Sequence, residues 1–256
     1  MTISIITVTY NAAGVIGSTL DSVGSQTYGD IEHLIIDGAS TDGTLDAVYK
    51  YRDAARYAVG VFSEPDHGIY DAMNKGMARA TGDYVVFLNA GDTFHAADTL
   101  QTIADTAMQW RDAAKGFPAV VYGDTAVVDS DHKFMHLRKH RPPRQLSWRS
   151  FRQGMLVCHQ AFYARTDIAK ATAYDLKYRY SADVDWCIRV MKEAERQNLP
   201  LVDTHAIIAN FEHGGNTTQH HTESLRERFA VMRRHYGLPT TLAMHAWFVV
   251  RAVIRR

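Results

Sequence analysis

Residues 31–44 read Ile31-Glu32-His33-Leu34-Ile35-Ile36-Asp37-Gly38-Ala39-Ser40-Thr41-Asp42-Gly43-Thr44. An apolar run that stops at an acid and a glycine, then enters residues that favour helix starts, predicts a buried strand feeding a crossover helix. The same pattern recurs on both sides. Upstream, Ile3 to Thr9 predicts a strand rich in Ile and Val, and residues 14–27 carry Val15, Ile16, Leu20 and Val23 at helical spacing. Downstream, Thr41 or Asp42 caps an expected helix bearing Leu45, Val48 and Tyr49, and a short strand near 58–62 precedes a helix over 69–80. Tyr84 to Leu88 predicts another buried strand, which stops at Asn89-Ala90-Gly91-Asp92 before a helix over 96–114.

Strand, crossover helix and strand in repetition make a mostly parallel sheet with helices on both faces. Ligands of such sheets bind outside the carboxyl ends of the strands. Asp37 and Asp92 stand at two of those ends. The second half is less regular. Strands are expected at 119–128, 133–138 and 159–164, a loop at Arg141-Pro142-Pro143-Arg144, and a helix over 182–196. An apolar strand at 200–209, a loop from Phe211 to Thr218 and a charged helix over 222–236 complete the reading. No repeat or linker interrupts the chain, so residues 1–236 are read as one α/β domain with a mixed-sheet extension, and 237–256 as a helical tail.

Composition narrows the function. The 256 residues hold 28 Lys and Arg against 28 Asp and Glu, which speaks against nucleic-acid binding by bulk electrostatics. Two cysteines, Cys158 and Cys187, make neither a disulfide framework nor a paired-cysteine zinc site, and that usage fits a reducing cytoplasm. No signal-like segment opens the sequence, and no run reaches the ~20 apolar residues of a membrane span. Leu242 to Ile254 is mostly apolar and ends in Arg255-Arg256. It suits either a helix packed on its own core or one lying on an anionic membrane surface.

Several motifs are absent: no glycine-rich dinucleotide fingerprint follows the first strand, and there is no P-loop, serine elbow or His-Glu-x-x-His zinc pair. Four polar clusters remain. Thr9-Tyr10-Asn11 and Asp37 offer a stacking ring and a carboxylate for a nucleoside, with Asp42 read as a turn residue. The stretch Ser63 to Gly76 enters a helix, where Asp66 either caps or contacts a ribose and Lys75 could meet a phosphate. Asn89-Ala90-Gly91-Asp92 is either a turn or the carboxylate site of a hard divalent cation shared with phosphates. Ser181-Ala182-Asp183-Val184-Asp185 opens a helix and supplies either caps or a general base.

Taken in order, these stretches, with His159-Gln160-Ala161-Phe162 and Phe211 through Thr218, resemble the family 2 glycosyltransferases, and especially bacterial exopolysaccharide and glycolipid enzymes of the colanic-acid type. The resemblance covers roughly residues 2–236. It implies a GT-A fold, with 1–115 as the nucleotide-sugar half and 116–236 as the acceptor half, and an inverting transfer from a GDP- or UDP-sugar to a saccharide or lipid-linked acceptor. Under it, Thr9, Tyr10, Asn11, Asp37, Asp66, Lys75, Asn89 and Gly91 face the nucleotide. Asp92 takes Mn²⁺ or Mg²⁺, with His213 as a further ligand or lid residue. Asp183 is the base, Asp185 the second candidate, and His159 and Gln160 line the acceptor side. Three positions depart from the family pattern: Gly91 stands where an acid usually precedes the metal ligand, Asn89 replaces another common Asp, and Ala182 stands where many members carry Glu. The implied setting is the cytoplasm, at the inner face of the membrane, with no nucleic-acid partner. A nucleotide-sugar-binding scaffold without catalysis, and a nucleotidyltransferase on a related sheet, are the alternatives.

Overall fold

The expected alternation is present in the computed structural model, which describes residues 1–212 and 221–254. β1 (Ile3–Thr9), α1 (Ile16–Gly24), β2 (Ile31–Asp37), α2 (Thr44–Ala54), β3 (Ala58–Ser63), α3 (Ile69–Arg79) and β4 (Tyr84–Phe87) follow one another as strand and crossover. Every residue of β1 is buried, which is why its apolar run is continuous instead of alternating. Along β2, Ile35 joins Ile16, Leu20 and Val48 of α1 and α2 in one cluster, while Leu34 and Ile36 join Met73 and Met77 of α3 in the main core. Neighbouring strand residues point to opposite faces, so helices cover both. Gly76 lets α3 settle on the sheet, because a Cβ there would run into the side chains of Ile6 and Ile36.

The rest of the chain adds β5 (Thr93–Phe94), α4 (Thr99–Gln109), β6 (Val120–Val128), β7 (Phe134–Leu137), β8 (Phe162–Arg165), α5 (Thr166–Ala171), α6 (Ala182–Arg196), β9 (Leu201–Glu212), α7 (His221–Tyr236) and α8 (Leu238–Ile254). The strand order is β3-β2-β1-β4-β8-β6-β9-β5, with β7 pairing β6. β3, β2, β1 and β4 are parallel, and β8 begins the mixed part by pairing antiparallel with β4. The main core runs from Ile3 through β6 and α6 to Val231 of α7, so both halves of the chain share it.

Sequence and structure differ at several elements. β5 and α5 were not foreseen, and α4 is shorter than 96–114 at both ends. The expected strand at 159–164 begins as a 3-10 turn over His159–Ala161. β9 runs on through Phe211 and Glu212, which had been assigned to a loop. Both cysteines are free and buried.

Candidate active site

Register brings the first cluster together. Thr9, Asp37 and Ser63 are aligned across three parallel strands, each at its strand's last residue. Asp37 is fully buried and accepts hydrogen bonds from Ser40 N at 2.9 Å, from Ser63 Oγ at 2.7 Å and from the Ser40 hydroxyl. Asn11 adopts a left-handed backbone conformation, φ 46°, which Asn tolerates better than most residues. In that geometry its N–H donates to Ser40 Oγ at 2.8 Å, and its Oδ1 accepts from Thr41 N at 2.9 Å. Asp42 accepts from the N–H groups of Ala13 and Thr44, which makes it the turn residue expected. The 10–13 and 38–44 loops are thereby laced into one lip.

Gly38 marks the middle of that lip. A Cβ there would stand 2.6 Å from a carboxylate oxygen of Asp66 and 3.2 Å from the Tyr10 ring. Tyr10 is 64% exposed, leaving its ring available for stacking. Thr9 Oγ1 is buried with no hydrogen-bond partner among the described residues. Asp66 accepts from Gly68 N at 2.8 Å, a turn just ahead of α3 that leaves the helix without a side-chain cap. Lys75 turns back into its own loop, donating to Pro65 O at 2.8 Å and lying 3.5 Å from both Glu64 and Asp71. Its charge is engaged by protein carboxylates.

The second cluster forms where β4 ends. Gly91 has φ 96°, a conformation that favours glycine. Thr19 on α1 braces the turn: its hydroxyl accepts from Gly91 N at 2.9 Å and donates to Asp92 O at 2.9 Å. Asp92 is 8% exposed, and its Oδ2 accepts from Gln160 Nε2 at 2.9 Å. Asn89 Oδ1 and Gln160 Oε1 are buried acceptors without a hydrogen-bond partner among the described residues.

His159 joins this cluster to the third. Asn89 Nδ2 lies 3.1 Å from His159 Nε2, and His159 Nδ1 lies 3.6 Å from Asp183 Oδ2. With the Asn89 amide donating to Nε2, the proton of a neutral ring sits on Nδ1, facing the carboxylate. Asp183 lies in the first turn of α6. Tyr70, the second residue of α3, donates to Asp183 Oδ1 at 3.2 Å. The rings of Tyr70, Tyr174 and Trp186 stack at 5.3 and 5.0 Å and build the neighbouring apolar core. Burial works against the charge on Asp183. The neighbouring His159, the nearby Arg228 and the Val184 N–H outweigh it and hold the carboxyl below its ordinary range.

Asp185 is placed elsewhere. It is fully buried and meets Arg189 at 2.6 Å, His235 at 2.8 Å and Arg234 at 3.2 Å. Against the penalty of burial, His235 and Arg189 bring its pKa to about 2. Its role is to bolt α7 to α6, and it takes no part in the cluster around Asp183. His213 lies outside the described residues.

Sequence reading missed four contributors: Thr19, Tyr70, Glu227 and Arg228. Glu227 accepts from the backbone N–H groups of Arg179, Tyr180 and Ser181 at 2.7–2.9 Å, fixing the entry to α6. Arg228 acts on Asp183 through its charge. The only local hint was Tyr70, inside the polar-rich stretch 63–76. Among the described residues, no three His, Cys, Asp or Glu side chains converge as a metal cage.

The chain is similar to several known proteins. The model for glycosyl transferase family 2 matches residues 4–171. A PGL/p-HBAD biosynthesis glycosyltransferase of Mycobacterium bovis is 34% identical over 216 residues, covering 83% of this chain and 77% of that protein. An uncharacterized glycosyltransferase of Mycobacterium tuberculosis is 34% identical over 191 residues, 73% of this chain and 68% of that one. Among solved structures, S. aureus TarS 1-349 in complex with UDP-GlcNAc superposes with a TM-score of 0.69 at 16% identity, covering 91% of this chain and 67% of that one. This chain spans only 40% of the longer TarS structure. The mannosyltransferase PcManGT from Pyrobaculum calidifontis, in complex with GDP-Man and Mn²⁺, gives 0.63 at 18% identity, covering 97% and 75%. Identities this low speak to the fold, which is the GT-A glycosyltransferase fold.

Proposed function

The chain belongs to glycosyl transferase family 2 and is a glycosyltransferase, and from that premise we propose that it moves a sugar, with inversion, from a nucleoside-diphosphate sugar to a hydroxyl of a saccharide or lipid-linked saccharide. The observation that carries the reading is the link from Asp92 through Gln160 and His159 to Asp183. Two consecutive residues join a carboxylate suited to the diphosphate side with one suited to the attacking hydroxyl. Cell-surface polysaccharide synthesis at the inner face of the membrane is the setting that this acceptor class implies.

The lip of Tyr10, Asp37 and Asp66 would receive the nucleoside, Tyr10 by stacking and the buried polar atoms by hydrogen bonding. Asp183 would accept the proton of the acceptor hydroxyl as that oxygen attacks the sugar carbon opposite the departing diphosphate. Base catalysis of this kind contributes about 10²–10⁴-fold. His159 and Tyr70 hold the carboxylate in place from two sides, and the low pKa keeps it ionised. The residues around Asp92 fit a divalent cation: one carboxylate with neutral oxygen acceptors beside it suits a metal that draws its other ligands from phosphate and water. When bound there, the metal would supply counter-charge to the diphosphate. Two of the superposed structures contain Mn²⁺ with a nucleotide or nucleotide sugar.

A thermal-shift screen of UDP, GDP and other nucleoside diphosphates, each with and without Mn²⁺, tests the reading. One nucleotide should raise the melting temperature, and more so with metal, because only ligands of the native state do this. No shift with any diphosphate, together with no release of sugar from nucleotide sugars, would overturn it.

A further inference from the structure

From the surface of α8 we infer a second functional face, a docking site for an anionic lipid bilayer. The exposed side of this helix is apolar as far as Val250. Between Leu238 and Val250 the exposed residues are Leu238, Pro239, Leu242, Ala243, Ala246, Trp247, Val249 and Val250, and none carries a polar side chain. The polar residues of this stretch are not exposed: Thr240 is half-buried. Thr241 is fully buried, and His245 bonds to Thr241 O at 2.8 Å and packs edge-on against Phe229 of α7 at 5.0 Å. An ordinary surface helix has the opposite polarity. Val249 is 66% exposed and Trp247 51%, and an uncovered apolar face of this kind marks an interaction surface.

Charge selects the occupant. From Arg228 to Arg256 the sequence holds six arginines, no lysine and no acidic residue, so the remainder carries 22 Lys and Arg against 28 Asp and Glu. The balanced total conceals a segregated, basic C-terminal segment. Arg234 is engaged by Asp175 and Asp185, but Arg233 is exposed on the last turn of α7. Arg251 lies beside the Phe248 ring, and Arg255-Arg256 follow in sequence. A second copy of this chain would bring two basic segments together across a symmetric interface, which costs free energy. Anionic headgroups complement both the apolar stripe and its basic surroundings. No described helix is long and apolar enough to cross a membrane, so α8 would lie in the interface plane, Trp247 at headgroup depth.

The inference is tested on the whole chain by flotation with phosphatidylcholine vesicles, with and without phosphatidylglycerol. The protein should float with the mixed vesicles and much less with phosphatidylcholine alone. Binding should fall as salt rises, since each arginine near the surface is worth about fivefold in affinity. Leu242→Ser combined with Val249→Ser alters only exposed side chains and should weaken flotation by about tenfold or more, while the melting temperature stays unchanged. Failure of the mixed vesicles to float the wild-type chain would overturn the proposal. So would a dimer in light scattering that the double variant dissociates, with no lipid binding, because the stripe would then be a subunit contact. The readout is binding alone, so it stands or falls independently of the proposed reaction.

Discussion

His159 Nδ1 lies 3.6 Å from Asp183 Oδ2, and its other ring nitrogen is held by Asn89 at 3.1 Å. The imidazole is therefore fixed between the turn after β4 and the first turn of α6. Because its proximity is the leading influence that keeps Asp183 below the ordinary carboxylate range against burial, His159→Phe should raise that pKa. A base works only when ionised, so the acid limb of kcat/KM should move to higher pH. A pH profile of the variant that overlays the wild type would show that His159 does not tune the base.

Asp183→Asn keeps the side chain's size but cannot take a proton. Turnover should fall by about 10²–10⁴-fold, while calorimetry gives a nucleotide affinity close to wild type. Turnover at the wild-type level would remove Asp183 from the base role.

At the diphosphate side, Asp92→Ala deletes the carboxylate that Gln160 supports. Nucleoside-diphosphate affinity measured with Mn²⁺ should drop to the level seen without it. Equal affinity with and without Mn²⁺ in both proteins would exclude a metal role for Asp92.

Stability should report Asp185. Its pKa is lowered to about 2, so its ionised form stabilises the fold at pH values above the ordinary carboxylate range. That contribution, about 2 kcal/mol, is lost as pH falls from about 4 toward 2. Asp185→Asn leaves Arg189, Arg234 and His235 around a neutral side chain and should cost about 3 kcal/mol at neutral pH. Urea unfolding checks the loss, and the variant should still bind nucleotide.

β1, β2 and α6 were legible because each buries a long, uninterrupted or strongly periodic run. β5 was not: it has two residues, and its partner Asn210 is 117 positions from Thr93. The placement of β8 between β4 and β6 depends likewise on distant pairing. In the site, the acids at strand ends could be read directly, since an apolar run that stops at Asp leaves few other reasons for the acid. Lys75 was read as a phosphate cation, but its neighbours Glu64 and Asp71 compete for it through geometry that no local pattern displays. Likewise, the link between Asp92 and Asp183 uses one hydrogen bond across 68 positions and a turn that had been read as strand.

Glu227 closes the entry to α6 from 46 to 48 positions further along the chain. Proteins emerge from the ribosome N-terminus first, so the lip around Asp37 is translated long before the carboxylate that seats α6. A nascent chain or a fragment ending before α7 has every acid proposed for chemistry yet lacks the brace that holds one of them in place. Competence therefore arrives late in synthesis, and early termination should leave a product able to sequester donor but poor at using it.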